Sequence, residues 1–402
     1  MENGKLRYAK GVVDLRSLPA GLSSFDRVIA RRAMIEQERG VDLSSLAVNA
    51  AALGHSEEKN CENMFGAVPI PVGLAGPLTV TLSNGEETTV HLPLATTEGA
   101  LVASVSRGCK ALNTCKGVRT SSIYHGVTRS IAFKIKNEEL RMKNWIREHE
   151  KEWKSTGEST SSHLKILAYD IDEKDGHVFL TIAADTDEAM GMNMVTIAAQ
   201  AIGTYIAKST GEQFITVAAN VDSDKKPSKR THAKGRGYEA TATCILPAAI
   251  IADVLKTTPE AILATAKAKL ELGSEIAGAI GSNCHAANVI AALYLATGQD
   301  AAHVVEGSLA DTTVQSTSEG LKFSVRLPAL LLGIRGGGTT LPAQAQCLQL
   351  LLQPATSNQQ PAISPCSLLS EIVAAAVLAG EISLLAAQSS HTLAKAHKDL
   401  GR

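Results

Sequence analysis

The sequence predicts an α+β protein: a large, helix-rich domain carrying a small inserted domain. Two observations point there. Near residue 131 the composition shifts, and between 131 and 217 a charged helical segment, two strand-like runs, a helix-like run and another strand-like run follow one another. Beyond residue 237 the chain is alanine-rich and mostly helical in pattern, with one β-rich interlude at 311–327. At 402 residues, 45% of them hydrophobic and 20% charged, it can bury a sizeable core in two or three domains. Aromatics make up only 3%, so alanine, valine and leucine must fill the interior, which favours close helix packing.

Residues 1–55 read as an N-terminal helical region with a charged surface helix at 29–38. Residues 56–130 read as the first part of the large domain. There, prolines and glycines punctuate the apolar stretch from Ala67 to Pro77, which predicts extended, buried chain with fixed turns. Strands at 78–82 and 88–94 flank Asn84-Gly85, a strong hairpin signal, and a helix should span 98–109. Residues 131–217 form the inserted domain. Its segment 134–158 holds both tryptophans and reads as a solvated amphipathic helix. Strands at 164–170 and 177–183, a helix at 188–207 and a strand at 213–219 complete it. Residues 218–402 open on a polar loop at 222–237 and return to the large domain. The apolar run 372–385 is alanine-rich and interrupted by Gly380 and Glu381, so it predicts a core helix and not a membrane span.

Several function classes are disfavoured. Net charge is −1 with basic residues dispersed, which argues against a nucleic-acid surface. The seven cysteines form no Cys-x-x-Cys pair, so reduced thiols in a cytoplasmic protein are expected, with no metal site. The opening residues are polar and lack the apolar core of a secretory signal.

Chemistry concentrates in a few places. Thr96-Thr97-Glu98-Gly99-Ala100 sets a single carboxylate in a run otherwise free of acids; desolvation there would raise its pKa toward a proton-transfer role, while the plainer reading is a helix cap. Asp224-Lys225-Lys226-Pro227 is a surface turn on one reading and an oxyanion or carboxylate site on the other. Asn283-Cys284-His285-Ala286-Ala287-Asn288 and Gln299-Asp300-Ala301-Ala302-His303 place polar groups on alanine-rich sequence, as a core network or as a site. Met190-Gly191-Met192-Asn193-Met194 opens a helix whose free N–H groups suit an anion or amide, although methionines normally pack in cores. Gly336-Gly337-Gly338-Thr339 allows close backbone approach to a ligand or serves a tight turn. Gly235-Arg236-Gly237 fits the start of a dinucleotide fingerprint, but a basic loop precedes it where a strand is required.

Taken together these motifs resemble class I 3-hydroxy-3-methylglutaryl-CoA (HMG-CoA) reductases, in the soluble archaeal form. Glu62-Asn63 with Gly66, the Pro69 to Pro77 run, Thr96 to Gly99, Ser106 to Cys109, Ala189 to Met194, Asp224 to Pro227, His285 to Asn288, Gly298 to Asp300 and Gly336 to Thr339 fall in that family's order over roughly residues 56–402. The resemblance implies a substrate-binding large domain and an inserted ferredoxin-like α/β sandwich that binds NADPH or NADH. It also implies reduction of HMG-CoA to mevalonate and CoA by a homodimer or larger homo-oligomer with shared active sites. By the same resemblance Glu98, Lys225, Asp300 and His397 are catalytic. Ser104, Arg107, Lys110, Arg129, Asp224, Lys226, Lys269 and Asn288 then face HMG-CoA, and Asn63, Ser161, Ser162, Glu188, Met190, Gly191, Met192 and Asn193 face the cofactor.

The departures from the family pattern gather on the cofactor side. Ser162 replaces the usual arginine, Asp185 stands where a base is common, Asp187 and Glu188 replace Gly-Asp, and Ile334-Arg335 interrupts the glycine-rich loop. Fewer cations there predict a weakened preference for NADPH over NADH. A homologue that binds CoA esters with impaired reduction is the alternative function.

Overall fold

The computed structural model describes residues 15, 18–47, 49–136, 139–353 and 362–392. The first helix, α1 (Ser24–Arg39), begins at Ser23, whose Oγ accepts the Asp26 N–H at 3.1 Å, and ends at Gly40 with φ 65°. Arg27 and Arg31 tie it to the body through Glu57, at 2.6 and 2.8 Å.

A continuous nine-stranded sheet organises the remainder. Strands β1 (Val72–Thr81) and β2 (Glu87–Ala95) form the expected hairpin, in which Glu86 N–H bonds the Asn84 side chain and Gly85 takes φ 85°. Helix α2 (Leu101–Thr114) leads into β3 (Val118–Lys134). The N-terminal half of this long strand joins the main sheet, whose order is β2-β1-β3-β7 (Gly237–Leu246)-β9 (Gly320–Leu330)-β8 (Asp311–Thr317); its C-terminal half pairs with β5 (His177–Asp185) and β6 (Gln213–Thr216). Next come α3 (Glu139–Glu148), α4 (Glu150–Glu158), β4 (Lys165–Lys174), β5 (His177–Asp185), α5 (Met192–Thr210) and β6 (Gln213–Thr216). These strands make an antiparallel set in the order β4-β5-β3-β6. A separate apolar cluster lies beneath them, centred on Ile131, Phe133, Trp153, Leu180 and Ile202.

Past the loop at 217–228 come α6 (Lys229–Lys234), β7 (Gly237–Leu246), α7 (Pro259–Ala266), α8 (Ala286–Thr297), β8 (Asp311–Thr317), β9 (Gly320–Leu330), α9 (Pro342–Leu352) and α10 (Pro365–Ser389). Helix α10 is the axis of the main core and contacts α2, α8, β3 and β7. It is long and apolar enough to cross a membrane, yet 94% of that window is buried inside the protein, as expected for the core helix read at 372–385. Small residues bring it within backbone contact of α2: a Cβ on Gly108 would lie 1.9 Å from the Ala379 carbonyl oxygen. Two fully buried carboxylates on α10 are satisfied without a cation. Glu371 accepts from Ser83 N–H, Thr120 and Ser122, and Glu381 accepts from Cys284 N–H, His285 N–H and Thr312.

Several elements differ from their sequence-based expectations. The 67–77 stretch is extended but not buried: Val68, Val72 and Leu74 are 76%, 54% and 54% exposed in the single chain. Segment 134–158 holds two helices where one was expected, and Trp153 is fully buried, donating Nε1–H to the Ile146 carbonyl at 2.8 Å. The helix expected at 98–109 starts three residues later and runs to Thr114, and the one expected at 188 starts at Met192. Strand β7 lies in sequence that reads as helical. Its inward positions Tyr238, Ala240, Ala242, Cys244 and Leu246 do alternate with outward ones, but alanine makes a weak period-two signal.

Candidate active site

Lys225 is placed by a loop of left-handed turns. Asn220, Ser223 and Lys225 have φ of 63°, 54° and 57°, and Ser223 N–H bonds the Asn220 carbonyl at 3.0 Å. This geometry aims Lys225 Nζ at Asp300 Oδ2, 2.8 Å away. Asp300 follows α8 and caps a short helical turn at Ala301–His303, accepting the Ala302 N–H at 3.0 Å. Burial works against its ionisation. The hydrogen bond from Lys225, the Ala302 N–H and the nearby His303 outweigh that, and hold its carboxyl below the ordinary range.

Beneath the pair lies a buried network of charges. Glu306, fully buried, accepts the Lys225 backbone N–H and pairs with Arg236 at 2.8 Å. Arg236, itself 1% exposed, reaches Asp224 Oδ1 at 3.1 Å and Thr128 Oγ1 at 2.8 Å. Arg129 bonds Asp224 at 3.2 Å and stands 3.5 Å from Asp222. Burial opposes charge on both acids. At Asp224 the neighbouring Arg236, with His303 and Arg129, prevails and its carboxyl lies low; at Asp222 burial prevails and its carboxyl lies high. Ligand-type atoms of Asp224, His303 and Glu306 come within 4.8 Å of one another, but the Arg236 guanidinium already fills the space between the two carboxylates.

A cavity of about 870 Å³ opens over Lys225 and Asp300. One wall is the start of α5, where Gly191 takes φ 82° and no side chain caps the helix. The wall carries Met190, Gly191, Met192 and Asn193, with Ser161 nearby. The adjoining wall is the Gly336–Thr339 loop, which approaches α8 so closely that a Cβ on Gly298 would lie 2.3 Å from the Gly338 oxygen. Gln299 fixes this loop through both its amide groups, bonding Gly333 N–H and the Gly333 carbonyl at 2.9 Å each. Two cations join the lining, Lys59 and Arg335.

Not every expected residue arrives here. Glu98 is exposed in the single chain, so the expected desolvation is absent, and it lies outside this cavity; its backbone N–H bonds Thr96 Oγ1, and it caps no helix. Ser104 and Arg107 turn inward onto Ser383 of α10, both at Oγ, 2.9 and 3.0 Å away. Lys110 lines a separate shallow pocket with Ser106. Arg129 and Asp224 serve the buried network, and Lys226 Nζ bonds the Asp224 carbonyl at 3.0 Å. Lys269 and Asn288 lie outside the cavity lining, as do Asn63 and the exposed Ser162. The Glu188 carboxylate accepts the Cys366 N–H at 2.9 Å at the start of α10, which gives it a structural partner in place of the cofactor. His397 lies outside the described residues. Sequence reasoning named His303 only as part of the polar run 299–303 and Arg236 only within a rejected fingerprint, and it missed Glu306; the signal was a further ionisable group just past a recognised motif.

An ammonium locked to a carboxylate at the floor of a deep cleft, with an uncapped helix start and a glycine loop as walls, equips a protein for proton-coupled chemistry on a carbonyl. Comparison with known proteins agrees in kind. The family model described as hydroxymethylglutaryl-coenzyme A reductase matches residues 27–402. The 3-hydroxy-3-methylglutaryl-coenzyme A reductase of Haloferax volcanii is 37% identical over 400 residues, 98% of each chain, and that of Halobacterium salinarum is 40% identical over 376 residues, 93% of this chain and 92% of its own. A solved 3-hydroxy-3-methylglutaryl-coenzyme A reductase of Streptococcus pneumoniae shares the fold at TM-score 0.66 and 19% identity, over 89% of this chain and 96% of that one. A class II enzyme structure from the same organism, bound to NADPH, also gives 0.66, at 18% identity and 91% and 99% coverage. The chain belongs to the hydroxymethylglutaryl-coenzyme A reductase family.

Proposed function

We infer that this protein reduces HMG-CoA to mevalonate and free CoA with two equivalents of NAD(P)H, the mevalonate-pathway reaction for which its relatives are named. The observation that carries the reading is the Lys225–Asp300 pair at 2.8 Å, facing the 870 Å³ cavity. Lys225 stabilises the oxyanion that develops on the thioester carbonyl and donates a proton to it; Asp300 holds the ammonium in place and shares its proton. Glu98 supplies a proton in the same chemistry. Its exposure, together with the exposed apolar run Val68 to Leu74, supports a second copy of the chain bringing Glu98 to the pair in a homodimer. His397, near the C-terminus, protonates the departing thiolate.

A dinucleotide fits the residues present. The uncapped start of α5 offers N–H groups to phosphate oxygens, Asn193 an amide, and Arg335 and Lys59 positive charge. When bound, the cofactor supplies hydride. We assign it to a small unit spanning about residues 131–217, between large-domain segments 56–130 and 218–402 that follow the N-terminal region 1–55. The separate apolar cluster and the strand order β4-β5-β3-β6, with its βαββαβ succession, support a ferredoxin-like insert. Free cysteines throughout support a cytoplasmic location.

Nicotinamide absorbance with HMG-CoA, run in parallel with NADPH and NADH, tests the reading, with mevalonate and CoA quantified. Two cofactors consumed per mevalonate is the expected result; binding of HMG-CoA without oxidation of either cofactor would refute it. Ser162→Arg should raise kcat/KM for NADPH relative to NADH.

A further inference from the structure

Titratable groups crowd the space beneath Lys225. Four carboxyl groups, Asp222, Asp224, Asp300 and Glu306, meet the side chains of Arg129, Lys225 and Arg236. His303 stands at the centre of this arrangement and has no exposure at all. Its Nδ1 is 3.4 Å from Glu306 Oε1, and its Nε2, with no hydrogen-bond partner, is 3.6 Å from Asp300 Oδ2. Every element around it presents a charged or polar group. Asp300 and Glu306 come from its own segment, Asp224 and Lys225 from the catalytic loop, Arg236 from the approach to β7, and the unpartnered Tyr294 hydroxyl from α8.

We propose that His303 is a positioning and proton-storing residue for the Lys225–Asp300 pair, holding one proton between Glu306 and Asp300 and returning it as the pair is discharged. The inference rests on the reading of Lys225 and Asp300 given above. When Lys225 gives a proton to substrate oxygen, its Nζ is left with a free electron pair. The Nε2–H bond of the imidazolium breaks, an O–H bond forms at Asp300 Oδ2, and that proton passes on to Nζ. Neutral His303 keeps Nδ1–H toward Glu306. The store refills by the reverse route from solvent, since the Lys225 and Asp300 side chains are 43% and 34% exposed while His303 is sealed. The 3.6 Å gap must close by less than an ångström, within the tightening that catalytic contacts undergo when substrate binds. Glu306 couples the store to geometry, because the carboxylate facing His303 also holds the Lys225 backbone in its left-handed turn.

The test is the pH profile of kcat for NADPH-dependent reduction of mevaldehyde, the aldehyde half of the reaction, which releases no thiolate and so leaves His397 silent. In the parent protein kcat falls along a basic limb as the stored proton is lost. His303→Gln keeps size and a donor but cannot carry the proton. It should lower kcat about tenfold or more, change KM less than about twofold, and abolish that limb. Glu306→Gln removes the charge that favours imidazolium, so its limb should move about one unit or more to lower pH. Either variant suffices if the other fails to fold. A limb that survives unmoved in the folded variants would overturn the proposal, because a residue that merely packs does not set a titration. Turnover that persists in Lys225→Ala and Asp300→Asn would instead overturn the underlying reading.

Discussion

Replacing Arg236 by methionine, which keeps most of the volume and removes the charge, should cost the protein about 4 kcal/mol. The guanidinium is 1% exposed and reaches two carboxylates, Glu306 at 2.8 Å and Asp224 at 3.1 Å, as well as Thr128. Asp224 keeps Arg129 at 3.2 Å in the variant, so the loss falls mainly on Glu306, which retains only His303 and a backbone N–H. A buried pair broken on one side costs roughly 3–5 kcal/mol, which agrees with about 4 kcal/mol for unit charges 4 Å apart at an effective dielectric of 20. For a chain of this length that corresponds to a fall of about 5 °C in Tm. Urea titration followed by tryptophan fluorescence reads the change. The difference from the parent should be largest near neutrality and shrink in acid, where Asp224, whose carboxyl this arginine holds low, takes up its proton. Arg236→Lys should recover less than half, since one ammonium cannot span both acids and the threonine. A loss below about 1 kcal/mol, or one independent of pH, would refute the claim that this arginine neutralises the floor of the site.

Gly108→Ala tests helix packing by the sign of its effect. Helix propensity alone predicts about 1 kcal/mol of stabilisation, whereas the Ala379 carbonyl 1.9 Å from the new Cβ predicts destabilisation of about 3 kcal/mol on chemical denaturation. The hydrogen bond from Arg27, and then Arg31, lowers the Glu57 carboxyl from 4.5 to about 2, against the opposing effect of burial. Because this pKa is depressed on folding, the stabilisation is present above pH 4.5 and disappears as pH falls toward 2; hydrogen exchange should show α1 loosening in that window, with Glu57→Gln abolishing the dependence. Finally, co-expressed Glu98→Gln and Lys225→Ala chains, each inactive alone, should recover about a quarter of parental activity, since half the dimers are mixed and each mixed dimer has one intact site. Recovery no greater than the activity of either variant expressed alone would place Glu98 and Lys225 in the same chain's site or remove one of them from it.

What the sequence disclosed depended on how strongly local chemistry constrains geometry. The Asn84-Gly85 hairpin, the paired strands of the β-rich interlude and the core helix at 372–385 were legible because turn residues and sustained apolar runs leave few alternatives. Strand β7 was not, since its inward face is mostly alanine and cysteine and therefore barely distinguishable from helix. Lys225 and Asp300 were found as motifs, and the fold brings them to 2.8 Å. The environment of Glu98 was not legible, because apolar neighbours in sequence do not ensure an apolar environment in a single chain. The direction of Arg107 was not legible for a related reason: a polar residue on a predicted helix has two directions to face, and its guanidinium bonds Ser383, 276 residues away. His303 was legible as a polar group of the run 299–303 and Glu306 lay just past it, but only the turn at 301–303 reveals that they point beneath Asp300.

The central claim is that Lys225, held by Asp300, drives the reduction of HMG-CoA, and it is tested most directly by HMG-CoA-dependent NADPH oxidation in the parent and in Lys225→Met. The parent should turn over to mevalonate, and the variant, folded and still able to bind HMG-CoA, should lose at least about a hundredfold in kcat, the scale set by removing one oxyanion-stabilising donor. Parental turnover that Lys225→Met leaves within a fewfold would contradict the account.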